Sequence, residues 1–198
     1  LDAVQAAIQK NTKMFFIETP TNPMMKVADI HAVSEIAKGI GALTVVDNTF
    51  LTPYFQKPLT LGADIVTHSS TKYLGGHNDT ISGIVVVKDD EEIAEKINIH
   101  IKSHGSQLAP LDSWLVLRGI KTLAVRMDKH NANAKKVAHW LREQKKVEKV
   151  YYVGFEDHKD YDVTLKQTTG FGGMISFTVD SEETVMKILK NADMILLK

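Results

Sequence analysis

Lys72 stands in the run Val66-Thr67-His68-Ser69-Ser70-Thr71-Lys72-Tyr73-Leu74-Gly75-Gly76-His77, where an amine follows a hydroxyl-rich turn at the end of an apolar strand pattern. A lysine so placed can hold a carbonyl cofactor as a Schiff base, and freed again it can move protons at substrate carbons. Ser69 and Thr71 flank it with one residue between them, and two hydroxyls on such a turn suit a phosphate. Asp47 closes an earlier apolar run, Ala42 to Val46. A carboxylate beside a pyridine nitrogen keeps that nitrogen protonated, which makes the ring an electron sink. Asn22, in Glu18-Thr19-Pro20-Thr21-Asn22-Pro23, can donate to a ring oxygen beside the imine. These tasks together define a pyridoxal 5'-phosphate (PLP) site with Lys72 as anchor and base.

Each residue also has a plainer reading. A lone lysine at a strand end is usually a solvated charge, Asp47 can cap a helix or anchor a turn, and Ser69 and Thr71 can satisfy turn backbone. What outweighs those readings is the occurrence of all three polar strand ends in one chain. Gly75-Gly76 lacks the glycine pattern of a Rossmann or P-loop site and reads as a turn. The spacings of His68, His77, His100 and His104 fit no common zinc pattern, so no metal site is expected. Glu18 lies close enough to matter, with a turn role as an equal alternative.

The elements that must position these residues follow from periodicity. Met14 to Glu18 is a short apolar run closed by a loop in which Pro20 and Pro23 exclude helix. Asp29 is an expected N-cap for a helix with Ile30, Val33, Ile36, Ala37 and Ile40 at helical spacing, ended at Gly39 and Gly41. Ala42 to Asp47 is a continuous branched run, as in a strand buried on both faces. Leu59 to Ala63 lead into a second such strand, Asp64 to His68, and Ile81 to Val87 is a third. Strand, helix and strand repeated this way predict an α/β domain with a largely parallel sheet, in which ligands bind outside the carboxyl ends of the strands. Leu111 to Gln144 reads as one long or kinked helical region. Val147 to Val153 and Gly173 to Val179 are expected strands and Glu182 to Asn191 a helix, giving a second part of α+β type. The expected division is 1–122 and 123–198.

Composition narrows the function classes. The chain has 198 residues, 43% of them apolar, with 24 basic residues against 24 acidic ones and no cysteine. An ordinary apolar fraction indicates a globular core, and balanced charge advertises neither nucleic acid nor an anionic membrane as partner. Lack of cysteine removes disulfides and thiolate chemistry and is compatible with a cytoplasmic location. No apolar stretch approaches the roughly 20 residues of a membrane helix, and no signal peptide opens the chain. The start at Leu1 inside an apparent helix, and the stop after the apolar run Met194 to Leu197, read as those of a fragment.

Glu18-Thr19-Pro20-Thr21-Asn22-Pro23, Val46-Asp47-Asn48-Thr49-Phe50 and His68 to His77 resemble, in order and spacing, the successive motifs of the Cys/Met-metabolism PLP enzymes. That family holds cystathionine lyases and synthases, methionine lyases and homoserine sulfhydrylases. Leu117-Arg118-Gly119-Ile120-Lys121-Thr122-Leu123 resembles its domain-linking helix. The resemblance implies the aspartate aminotransferase-like fold, fold type I: a PLP-binding large domain, followed by the start of a smaller one. It places the PLP lysine on Lys72, phosphate binding on Ser69 and Thr71, the pyridine-nitrogen partner on Asp47 and the loop asparagine on Asn22. A homotetramer built from dimers is also implied. Serine at position 70 and asparagine at position 78 depart from many members. The family's ring-stacking tyrosine and glycine-rich phosphate loop fall upstream of Met14, and its substrate-carboxylate arginine downstream of Lys198. Arg118, Arg126 and Arg142 lie outside that motif.

The expected activity is that of a PLP-dependent lyase of sulfur amino acids, cystathionine γ- or β-lyase in type, eliminating a thiol from a small amino-acid substrate. Cystathionine γ-synthase, O-acetylhomoserine sulfhydrylase and methionine γ-lyase are the alternatives within the family. From another class, the chain can be a non-catalytic structural fragment without the full site. A nucleotide-binding α/β domain is disfavoured by the missing glycine fingerprint.

Overall fold

The computed structural model describes residues 1–192; the run Met194 to Leu197 lies outside them. A short helix α1 (Asp2–Ala6) precedes strand β1 (Met14–Glu18) and helix α2 (Ile30–Gly39). Strand β2 (Leu43–Asp47), the one-turn helix α3 (Thr52–Phe55), a 3₁₀ turn at Pro58–Leu61 and strand β3 (Ile65–Ser69) follow. Strand β4 (Gly83–Val87) completes a four-stranded sheet in the order β1-β2-β3-β4. β1, β2 and β3 are parallel and β4 runs antiparallel to β3.

The expected helix at Asp29 forms for the expected reason: the Asp29 carboxylate accepts the Ala32 N–H at 2.9 Å, satisfying a donor the helix cannot pair internally. Its buried face, with Ile30, packs on Val46 and Ala63, with Ile17 and Leu61 against the edge. α2 therefore covers one face of the parallel sheet. β2 is buried at Thr44, Val45 and Val46, as its continuous apolar pattern requires.

After β4 come helices α4 (Glu91–His104), α5 (Pro110–Ile120) and α6 (Leu123–Arg142). The expected long helical region is thus two helices, broken at Lys121 and Thr122. No proline lies at the break; the Gly119 carbonyl is taken by the Thr122 hydroxyl at 3.1 Å and by Arg126 Nη2 at 2.9 Å, which ends the α5 ladder. Strand β5 (Val147–Tyr151), helix α7 (Tyr161–Gln167), strand β6 (Ser176–Val179) and helix α8 (Glu182–Asn191) follow. β5 and β6 form a separate antiparallel pair, shorter than the sequence runs that predicted them.

Three apolar clusters hold these parts. Ala134, Ala138 and Leu141 of α6 pack on Val150, Tyr152 and Phe155. Leu123 and Met127, one turn into the same helix, pack on Leu51, Phe55 and Leu74. α6 therefore shares one apolar cluster with β5 and another with the segment that follows Lys72. Polar ties add to this: Thr169 N–H donates to the Phe55 carbonyl at 2.9 Å, and Gln167 pairs with the Ile30 N–H at 3.2 Å and the Ala28 carbonyl at 3.0 Å.

Candidate active site

Parallel register sets the rim. Glu18 pairs with Asp47 and Asp47 with Thr67, so the carboxyl ends of β1, β2 and β3 lie level. Cross-strand partners project to the same face. That face, carrying Glu18, Asp47 and Thr67, is opposite the one carrying Ile17 and Val46, which α2 covers. Two residues beyond Thr67, Ser69 returns to the same side by strand alternation.

Two of the five sequence-predicted residues are held by backbone that they themselves engage. Asp47 Oδ1 accepts the Thr49 N–H at 2.9 Å, which fixes the carboxylate on its turn. Its second oxygen has no hydrogen-bond partner among the described residues. Thr71 is more committed. Its hydroxyl accepts the Ser82 N–H at 2.8 Å and donates to the Ser82 carbonyl at 3.2 Å. A hydroxyl has one proton, so as it stands Thr71 has none to give an anion; that proton must first turn away from Ser82. Ser69 differs: its hydroxyl has no partner among the described residues, while its N–H donates to the Thr49 hydroxyl at 2.8 Å. Asn22 and Lys72 are both exposed. Lys72 has no ion-pair partner among the described residues.

The Lys72 turn is internally tied. Lys72 N–H donates to the Ser69 carbonyl at 3.1 Å, Gly75 N–H to Ser70 at 2.8 Å and Gly76 N–H to Lys72 at 2.8 Å. Gly76 adopts φ 69°, a region that a side chain disfavours. Tyr73 turns away from the rim, its ring edge-on to His130 at 5.1 Å. Burial pushes its phenol up to about 12, so it keeps its proton at neutral pH and offers no second base.

Charge at the rim is negative apart from Lys72. Partial burial and the neighbouring Asp47 raise the Glu18 carboxyl above its usual range, with the Asn22 backbone N–H pulling the other way. Behind the rim, burial holds His68 below the ordinary histidine value, opposed by Asp47 and the Asn48 backbone. Its ring is neutral at pH 7.

Several contributors had no role assigned from the sequence, although most of them lie within its motifs. Thr49 joins the ends of β2 and β3. Thr67 keeps a buried hydroxyl without a partner, level with Asp47. Strand alternation from Ser69 was the available clue to Thr67. Ser82 anchors Thr71, and its hydroxyl lies 2.7 Å from that of Ser70. Asn48, Gln56 and Thr19 form a buried network under the rim: Gln56 Nε2 donates to Asn48 Oδ1 at 2.9 Å and to the Thr19 carbonyl at 3.2 Å. The three arginines are engaged elsewhere. Arg118 lies over Trp114, Arg126 on the Lys72 turn, and Arg142 against Phe155 and Asp157. A hollow of about 610 Å³ is lined by residues such as Met24, Arg142, Lys149 and His158, and by none of the rim residues.

The donor set fits PLP. Among the described residues, an amine without an ion-pair partner, a carboxylate with one open oxygen, an open Ser69 hydroxyl and the orphaned Thr67 hydroxyl belong to the level strand ends and the turn that follows them. They match an aldehyde, a protonated ring nitrogen and a phosphate in kind.

Comparison with known proteins agrees. Residues 1–198 match the profile of the Cys/Met metabolism PLP-dependent enzymes. A cystathionine β-lyase of Lactococcus lactis subsp. cremoris is 51% identical over 191 residues, 96% of this chain and 50% of that protein. A cystathionine γ-lyase of Bacillus subtilis is 50% identical over 190 residues, 96% of this chain and 50% of that protein. The crystal structure of a cystathionine γ-synthase from Xanthomonas oryzae pv. oryzae, in complex with aminoacrylate and cysteine, superposes with a TM-score of 0.95 at 38% identity. It covers 100% of this chain and 51% of its own. The chain thus spans about half the length of the curated relatives it matches. Its mostly parallel four-stranded sheet with packed helices is that of the fold type I large domain, as the motifs implied. The chain belongs to the Cys/Met metabolism PLP-dependent enzyme family.

Proposed function

We propose that this chain carries the cofactor-anchoring part of a PLP-dependent carbon–sulfur lyase of cystathionine β- or γ-lyase type. The observation that carries this reading is the level register of Glu18, Asp47 and Thr67, which brings Asp47 and the Lys72 turn to one rim. Identities of about half to a β-lyase and a γ-lyase support the reaction class.

PLP, when bound, supplies a conjugated ring that withdraws electrons from substrate carbons. The chain's own residues do the rest. Lys72 would hold the cofactor through Nζ, and the same Nζ, freed when the substrate amine takes its place, would take the proton from the substrate α-carbon. Asp47, pinned by the Thr49 N–H, would hold a proton on the ring nitrogen with its open oxygen. Ser69 would donate to the phosphate, and Thr71 would join it on giving up its bond to the Ser82 carbonyl. Asn22, exposed in its loop, would donate to the ring oxygen. No residue here supplies a substrate-carboxylate arginine.

The division into 1–122 and 123–198 is supported by the two separate sheets and by the helix break at Lys121 and Thr122. The substrate is a small amino acid, and the assembly a homotetramer by family resemblance. Among the described residues no helix is long and apolar enough to cross a membrane.

A second reading, γ-replacement, is favoured by the close superposition on a γ-synthase. The full-length protein decides. Ammonia with a 2-oxo acid released from cystathionine supports elimination; a thioether formed from cysteine and an activated homoserine ester supports replacement. Neither product, with a colourless protein, supports a non-catalytic role.

A further inference from the structure

Arg126 projects from the first turn of α6 onto the segment that follows Lys72. Nη1 donates to the Tyr73 carbonyl at 2.7 Å, and Nη2 reaches the Leu74 carbonyl at 3.5 Å and the Gly119 carbonyl at 2.9 Å. Nε donates to the Thr122 hydroxyl at 3.0 Å. One planar cation thus spans the Lys72 turn and the break between α5 and α6, which only a guanidinium fork can do. Its donors face carbonyls in place of water, and that partial burial lowers its pKa from the ordinary arginine value.

The turn has no slack on either side of this fork. A Cβ on Gly76 would collide with the Arg126 guanidinium, and one on Gly119 with the Gly75 carbonyl. Leu74 is packed against Leu123 and Met127 of α6. Tyr73 lies against His130, one turn beyond Arg126. Backbone on both sides of Lys72 is therefore fixed, by the Thr49–Ser69 bond before it and by Arg126 after it.

We infer that Arg126 is a positioning residue for Lys72: its fork sets the direction of the turn and hence where the amine stands at the rim. This rests on Lys72 being the cofactor anchor. α6 also packs on β5, so the orientation of the second sheet reaches Lys72 through the same arginine.

The test uses the full-length protein with Arg126→Met, Arg126→Lys, Gly119→Ala and the control Leu141→Ala. Leu141 is buried at the far end of α6. Two rates are read by peptide mapping: acylation of Lys72 in the cofactor-free protein, and borohydride trapping of added PLP at Lys72. Urea unfolding is measured beside them. Displacement of the amine by about 1 Å is expected to slow trapping ~10- to 100-fold in Arg126→Met, with a changed acylation rate. Arg126→Lys restores part of the rate, and Gly119→Ala, which pushes the same turn with Arg126 intact, slows it too. Leu141→Ala loses stability and keeps both rates. If Arg126→Met matches Leu141→Ala, losing stability alone, the positioning role is overturned. If wild-type Lys72 traps no PLP, the cofactor reading fails instead. The acylation rates then still decide whether Arg126 places the amine.

Discussion

The Thr49 hydroxyl accepts the Ser69 N–H at 2.8 Å, tying the turn after Asp47 to the turn before Lys72. The same Thr49 gives its own N–H to Asp47. One short residue thus fixes the carboxylate and the approach to the lysine together, and the distance between the two chemical groups is set by backbone.

Asp47→Asn keeps an oxygen for the Thr49 N–H and removes the charge. A charge-assisted hydrogen bond contributes about 1.5–3 kcal/mol, so PLP affinity should fall ~10- to 100-fold with little change in fold stability. Asp47 also raises the His68 pKa. NMR titration of the variant should therefore show His68 protonating at lower pH; an unchanged midpoint contradicts the geometry.

Ser69 and Thr71 should separate. Ser69→Ala removes an open hydroxyl and is expected to weaken PLP binding about tenfold while the cofactor-free protein unfolds at the same urea concentration. Thr71→Ala strands the Ser82 N–H and should destabilise the cofactor-free protein by about 1–3 kcal/mol. Equal effects on both quantities would show that Thr71 is not tied to Ser82 as described.

His68 sets a pH dependence. Its folded pKa lies below 6.5, chiefly through burial. As pH falls below 6.5 the unfolded chain takes up a proton that the folded chain refuses. The unfolded state then binds more protons, and stability declines toward the folded pKa; above 6.5 the contribution is fully present. Urea unfolding at pH 7.5 and 5.5 should show a loss that is smaller in His68→Gln. An identical loss in both proteins removes His68 as the cause.

Met127 is fully buried beneath the Lys72 turn, in contact with the cluster of Leu51, Phe55, Leu74 and Leu123. Met127→Ala should cost about 2–5 kcal/mol in urea unfolding. A cost under about 1 kcal/mol would mean that the cluster refills the space.

Much of this was legible because the signals were local. Asp29 with its helical spacing and the branched run ending at Asp47 each declare an element within a few residues, and the polar strand ends declare the rim. α4 was missed although Ile93, Ile97 and Ile101 recur at helical spacing between the Asp90 cap and Gly105; that stripe is short and only half-buried, so it stands out less than the fully buried face of α2. A kink within Leu111 to Gln144 was among the expectations; its chemistry was not legible, because the Gly119 carbonyl is held by the Thr122 hydroxyl and by Arg126 with no proline at the break. Ser82 acts through its own backbone on the Thr71 hydroxyl, and Arg126 acts on the Tyr73 carbonyl; nothing in their own neighbourhoods announces a partner so far along the chain.

The central claim is that Lys72 anchors the cofactor. The direct measurement is borohydride reduction of the full-length protein with PLP, followed by peptide mapping. The expected result is a yellow protein that bleaches on reduction and carries the pyridoxyl group on Lys72, with Lys72→Ala unlabelled. Label on another lysine, or none on a protein that stays colourless, contradicts the assignment.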